Sequence, residues 1–561
     1  MKNPLKYFTA FLMVALLCVS YIKMSWAYVP PTVDPTIIMR DFEQEERPAS
    51  QLEDIVDDPQ AGPSTGEVSE EKAFVLKAVI LEGSSVYQSA DIAPFYQDML
   101  NERVSFVDLS AIAQRITRKY REDGYIFSRA FLPPQKISDG VVHLSAIEGS
   151  ITSVKVAGDV KDLNGTIQEM ANKIRTSSIA NTKEIERYLL LIDDLPGITA
   201  KSLIQPSATP GGGDLIISVE EDKFEGALGV DNRGSDTIGP YKGTLVGAFN
   251  SLFGIHDRTT LRGIVTSQAN ELLFGDITHE EQIGSEGLKV KGRAAFTSSE
   301  PGGNVRTLGI EGDSQLYDLE GSYPVIRSRQ HNTNFIAGLG AVNSKTDLLG
   351  LTIGDDHIRS ARVGIHTDFT DPYKGVNQLD VTVTQGLDIL GATSDGLGRS
   401  RANGDHTFLK ANVIATRVQE LSGPLSLMVS GTAQLSRDPL LAAEEFTVGG
   451  QSFGRAYDAG EIAGDNGWAG IAELRYGGPV NSDILHSYQA YGYLDYGRVK
   501  NKSPVFAETV SDSLTSAGIG VRFNVAYDLS GYVELAKPIN QNVTSEGDQG
   551  SRIFFSLTKR I

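Results

Sequence analysis

The sequence predicts two small α+β modules followed by a large antiparallel β-barrel that spans a membrane. Three observations predict it. Apolar residues recur at helical spacing up to about Lys223, and from there to the end of the 561-residue chain the period drops to two. The alternating segments are about ten residues long and are separated by loops rich in Gly, Asp, Asn and Ser. The chain has 58 glycines, and 40% of its residues are apolar. Beyond the N-terminus no apolar run is long enough to cross a bilayer as a helix, which takes about 18 residues. Helical spans are thereby excluded and barrel spans, whose signal is alternation, are not.

The elements follow in order. Residues 1–27 read as an export signal: Lys2 and Lys6 are basic, Phe8 to Ile22 is apolar, and Ser25-Trp26-Ala27 offers a small-x-small cleavage site. An uncleaved anchor is the competing reading. The one cysteine, Cys18, falls inside this segment, so the exported chain carries no thiol, which suits an oxidising compartment. Residues 28–72 are rich in Pro, Glu, Gln and Asp. Within them 35–47 reads either as one short helix capped by Thr36 or as a tail without structure, and 48–71 reads as an acidic linker.

Residues 73–149 form the first module. Its strand is 74–83. Its helix begins at an N-cap Asp108, carries Leu109, Ile112, Ile116 and Tyr120 on one face, and stops at Gly124. Strands at 125–133 and 140–149 follow. Residues 150–220 repeat the order: a strand at 153–158, helices near 163–174 and from Thr182, then strands near 198–205 and 213–219. The barrel occupies 221–561. In 378–387, Leu379, Val381, Val383 and Leu387 oppose Gln378, Asp380, Thr382 and Thr384. In 425–435, Leu425, Leu427, Val429 and Leu435 oppose Ser426, Ser430, Thr432 and Gln434. The final strand sets Ile553, Phe555, Leu557 and Ile561 on one side. Closure into a barrel satisfies every backbone group within a membrane, which an open sheet does not.

Chemistry is mostly excluded. A net charge of −20 argues against nucleic acid. The eight histidines show no HExxH and no i,i+4 pair, so no metal is expected, and no GxxxxGK[ST] loop exists for a nucleotide. Gly450-Gln451-Ser452-Phe453-Gly454 matches GxSxG, but a nucleophile elbow needs a following helix, and "RAYDAGEIAGDNG" supplies only glycines. No cofactor and no catalytic residue are expected.

Two polar residues stand out. Arg455 lies in a long Gly-rich segment between strands. Asp495, in "YGYLDYGRV", shares an inward parity with Tyr491, Tyr493 and Gly497 if Leu494 and Tyr496 face lipid. The residues alone leave two readings open: a lumenal ion pair, or two unrelated solvated groups.

At these residues the sequence resembles the transporters of two-partner secretion, the haemolysin and filamentous-haemagglutinin exporters of the Omp85 superfamily. Residues 120–151 are similar to the end of that family's first POTRA domain, 320–330 to a characteristic barrel strand, and 449–476 to its inward-folding loop and the next strand. Arg455 and Tyr457 match the loop motif V-R-G-F/Y, from which Gly454 and Ala456 depart. Asp495 and Gly497 match the wall motif F/G-x-D-x-G, with Tyr493 in its first place. The resemblance implies that Arg455 pairs with Asp495, that the barrel has about 16 strands, and that 35–47 is a plug helix, with Ile37, Ile38, Arg40 and Phe42 among its residues. It implies an outer membrane, two periplasmic POTRA domains, and export of a large secreted partner, a β-helical adhesin or toxin, with no nucleotide. An outer-membrane insertase of the same superfamily is the alternative, although it would carry more POTRA units and end on an aromatic residue in place of Ile561.

Overall fold

A computed structural model of the protein describes residues 30–44, 74–176, 179–209, 211–394, 398–504 and 508–561. The expected export signal (1–27) and the acidic linker (48–71) lie outside the described residues.

The first module packs the helix Phe106–Glu122 on a three-stranded sheet. Ala78–Glu82 runs parallel to Val141–Ile147, and Arg129–Phe131 pairs antiparallel with the latter's far end. Leu109, Ile112, Ile116 and Tyr120 are buried against Val142 and Leu144, as the helical spacing requires. The N-cap is Ser105, not Asp108. Ser105 Oγ accepts from the Asp108 N–H, and the Asp108 carboxylate accepts from the Ser105 N–H at 2.8 Å, so Asp108 is the third residue of a capping box. Those hydrogen bonds hold the Asp108 carboxyl below the usual carboxylate range. The strand expected over 74–83 is broken. Buried Leu76 turns aside to exchange hydrogen bonds with Glu102 and Asn101, so Phe74–Val75 pairs with Arg103–Val104 and a new strand starts at Ala78. The strand expected over 125–133 shrinks to Arg129–Phe131, because Tyr125 and Ser128 form a turn after the helix.

The second module repeats the design. Ser150–Ala157 and Gly212–Glu221 run parallel at one side, Ile198–Pro206 lies antiparallel at the other edge, and the helices Thr166–Thr176 and Thr182–Asp193 cover one face. Ile185 and Ile192 join Ile167, Met170, Leu215 and Ile217 in the core.

From Phe224 the chain forms a closed barrel of sixteen strands among the described residues. Every neighbouring pair is antiparallel, and Arg552–Arg560 closes on Phe224–Asp231. Parity assigns the faces. Leu379 and Val383, Val429 and Leu435, and Ile553 and Phe555 point outward and are exposed, while the alternate positions point into the lumen. The short turns at 251–256, 284–287 and 328–330 face the second module, so that end of the barrel is periplasmic. The module is fixed there: Arg327 holds Asp194 with two bonds of 2.7 Å, Tyr188 donates to Glu286 at 3.1 Å, and Arg187 donates to the Pro324 carbonyl at 3.0 Å.

Candidate functional site

The segment between the strands Leu425–Ser436 and Asn466–Pro479 does not leave the barrel. It folds back into the lumen as a hairpin in which Phe446–Val448 pairs with Ile462–Gly464. Two apolar residues, Val448 and Ile462, start and end its tip and are buried against the wall with Ala469, Val499 and Leu514. Gly497 makes this seat possible. A Cβ there would lie 2.5 Å from Val448 Cγ1, so only a bare backbone admits the hairpin so close to the Leu485–Lys500 strand.

The tip carries Arg455. The structure brings Arg455, Tyr457, Asp495 and Gly497 into one region, but the expected bond between the Arg455 and Asp495 side chains is not formed. The guanidinium pairs with Glu473, donates to the Gln451 carbonyl at 3.0 Å, and stands 4.8 Å from the centre of the Tyr493 ring. Asp495 instead accepts the backbone N–H of Arg455 at 3.0 Å, together with the Ser516 hydroxyl at 2.5 Å and the Ser516 N–H at 3.2 Å. The reason is one of reach and occupancy. The short aspartate side chain is filled by Ser516 and by the loop backbone, and the longer Glu473, one strand over, meets the guanidinium.

Glu473 is fully buried and is shared. Arg475 Nε lies 2.7 Å away, and Arg522 makes bonds of 2.8 and 3.0 Å. Three arginines therefore converge on one carboxylate. A second buried carboxylate, Glu534, accepts from Arg233 at 2.7 Å and from the Tyr491 and Tyr493 hydroxyls at 2.8 and 3.2 Å, while Arg233 also donates to the Arg455 carbonyl at 2.8 Å. Tyr457 completes the anchorage. Its hydroxyl reaches the Thr515 carbonyl and Asn540 Oδ1, both at 3.2 Å, and Arg552 holds the Ala456 carbonyl at 3.1 Å and Asp458 at 2.8 Å. The tip is thus tied to wall and loops by charge-assisted bonds in a site away from bulk water.

Glu473 and Glu534 were not singled out from sequence. The signal existed: Glu473 stands opposite Tyr493 in the strand register and has the same inward parity. Ser452 sits at the tip with no helix after it, and no hydrolase geometry arises.

The helix Pro35–Gln44 lies beside this loop within the lumen. Its cap is Asp34, not Thr36: Asp34 Oδ1 accepts the Thr36 N–H at 2.9 Å, and the Thr36 hydroxyl merely adds to the same acceptor. Ile38 and Phe42 pack on the inward residues Ile264, Phe274 and Ala295, with the Phe42 and Phe274 ring centres 5.1 Å apart. Arg262 donates to the Phe42 carbonyl at 3.0 Å, and Arg40 donates to the Glu445 carbonyl of the pore loop at 2.8 Å. Ile37 abuts Gly460, where a Cβ would fall 2.4 Å from the isoleucine methyl. Helix and loop therefore lie side by side within the lumen. No cluster able to hold a metal ion occurs among the described residues.

Comparison with known proteins fits this arrangement. Residues 211–523, more than half of the chain, match the family described as haemolysin secretion/activation protein ShlB/FhaC/HecB, and residues 74–149 match the ShlB-type POTRA domain. The heme/hemopexin transporter protein HuxB of Haemophilus influenzae strain 86-028NP is 24% identical over 495 residues, which cover 86% of this chain and 86% of HuxB. The outer membrane transporter CdiB of Escherichia coli O6:K15:H31 (strain 536 / UPEC) is 25% identical over 418 residues, 72% of this chain and 69% of its own. The solved structure of CdiB from Escherichia coli superposes with a TM-score of 0.77 at 21% identity, covering 96% of this chain and 100% of that one, which is a likeness of fold.

Proposed function

The chain belongs to the haemolysin secretion/activation family of two-partner secretion transporters, and from that premise we propose that it captures one unfolded partner protein in the periplasm and threads it through the barrel lumen without nucleotide hydrolysis. Members of this family are outer-membrane transporters and not enzymes, and they serve a secreted partner. The division into export signal (1–27), plug helix and linker (28–72), two POTRA domains (73–149 and 150–220) and barrel (221–561) is part of the same reading.

One observation carries it: the helix Pro35–Gln44 packs on lumen-facing residues and is not a strand of the barrel wall. The helix Pro35–Gln44 is held by an apolar face and by bonds to backbone carbonyls from Arg40 and Arg262. A segment so held can leave as a unit and clear a path. At the periplasmic mouth, the edge strands Arg129–Phe131 and Ile198–Pro206 offer backbone groups to an extended client, and exposed Leu203 and Ile204 offer apolar contact. The client is a large secreted protein of β-helical type, an adhesin or a toxin. Its folding outside the cell biases the passage, and the outward apolar wall is met by outer-membrane lipid.

The test is deletion of the gene, followed by comparison of the secreted and outer-membrane proteins. One large protein should vanish from the medium while the set of barrel proteins stays unchanged. Loss of many barrel proteins would overturn the reading in favour of an insertase.

A further inference from the structure

The outward ladder shared by the strands His331–Leu348 and Leu351–Thr370 changes character with height. Leu339 opposite Ala361 is apolar. One rung nearer the cell surface, Ala341 stands opposite Arg359, then Asn343 opposite His357, then Lys345 opposite Asp355. His357 and Lys345 have carboxylate partners in Asp355 and Asp347, at 3.1 and 2.7 Å. Arg359 has none among the described residues. Its Nη1 donates to the Ile358 and Val342 carbonyls at 2.8 and 3.2 Å, which leaves its charge uncompensated. Tyr317 lies on the same level, across the ladder from Ala341, as an aromatic residue does at a membrane–water boundary.

The segment after the strand Gly375–Gly386 then departs from barrel geometry. It stays beside the upper half of the Leu351–Thr370 strand: the Leu387 N–H bonds the Arg359 carbonyl at 2.7 Å, and the Thr393 N–H bonds the His357 carbonyl at 2.9 Å. Between those bonds Leu390 is 81% exposed. Beneath it opens a groove of about 560 Å³, lined by Ile277, Tyr317, Leu319, Leu339, Arg359 and Leu390. Its apolar floor is continuous with the lipid-facing wall, and of its basic lining residues Arg293 is paired with Asp276 and His279 bonds Thr259, while Arg359 has no carboxylate partner among the described residues.

We propose that this groove binds a phosphorylated acyl lipid of the outer leaflet, with the phosphate on Arg359 and an acyl chain laid between Leu390 and Leu339. The guanidinium fork matches a phosphate, which the surrounding carbonyls do not neutralise. An apolar slot continuous with the bilayer suits a chain and excludes a free anion. The site is distinct from the lumen and from the export path.

Native mass spectrometry of the detergent-purified full chain tests this, with added bisphosphoryl lipid A, its dephosphorylated form, and inorganic phosphate as probes. The wild type should retain one bisphosphoryl lipid A. Retention should fall about tenfold for Arg359→Gln and severalfold for Leu390→Ser. The dephosphorylated lipid should bind the wild type about tenfold more weakly, and inorganic phosphate alone should not be retained. Heat-dependent gel migration verifies that each variant barrel is folded. If Arg359→Gln does not fold, the lipid comparison on the wild type and Leu390→Ser decides. Equal retention of the two lipid forms, or undiminished retention by a folded variant, overturns the proposal, as does the absence of any adduct.

Discussion

Glu473 is the pivot of the lumenal network, because one carboxylate there faces Arg455, Arg475 and Arg522. The consequences of substitution are asymmetric. Arg455→Ala leaves Glu473 with two partners and the barrel wall intact. Glu473→Ala leaves three buried or half-buried cations against one another, and breaking a buried pair from one side costs about 3–5 kcal/mol. Arg455→Ala should therefore stay inserted, with an unchanged temperature for loss of the compact band in unheated gels, yet secrete poorly. Glu473→Ala should lower that temperature markedly. Normal secretion by Arg455→Ala would refute the anchoring role. At this scale the sequence was partly legible. The inward parity of Asp495 follows from alternation, and so does that of Glu473, but alternation does not say which carboxylate an arginine chooses. That choice depends on Ser516, on a neighbouring strand, having already filled Asp495. Capping shows the same limit: Asp108 and Thr36 have cap chemistry, and the backbone gave the cap position to Ser105 and Asp34.

Among elements, the helix Pro35–Gln44 and the loop hairpin are held within the lumen in different ways. The hairpin is covalently part of the wall at both ends and is pinned by several ion pairs. The helix rests chiefly on apolar packing of Ile38, Met39 and Phe42. Deleting residues 30–44 should raise the single-channel conductance in planar bilayers severalfold while leaving the barrel folded. Arg40→Ala, which removes the bond to Glu445, should give intermediate, flickering openings. Conductance equal to wild type after the deletion would show that the loop alone seals the pore. Helical periodicity over 35–47 could not separate a helix from a tail, because the apolar face of so short a segment is meaningful only once Ile264 and Phe274 are there to receive it. The helices of the two modules were legible, since each carries its own receiving sheet close in sequence.

The whole molecule reads most clearly in sequence, because a barrel repeats one rule sixteen times. What alternation could not supply was the seam. Arg552–Arg560 meets Phe224–Asp231 over only the pairs from Ser556↔Asp231 to Arg560↔Ala227, the shortest ladder of the barrel. The described residues contain no cysteine, the one in the sequence being Cys18, so Val230→Cys with Leu557→Cys should give a single disulfide across opposed residues. Export through the lumen should survive that lock. Secretion lost on oxidation and restored by reduction would mean that the seam must part. The position of the lumenal helix has a final consequence. It is joined to the first module by the stretch between Gln44 and Phe74, whose fully extended reach is at most on the order of 100 Å. In the export cycle proposed above, a helix expelled by the client would stay confined near the mouth, at an effective concentration on the order of millimolar. On that proposal it would act as an inhibitor carried by its own receptor, and the pore would reseal after each passage without any external factor.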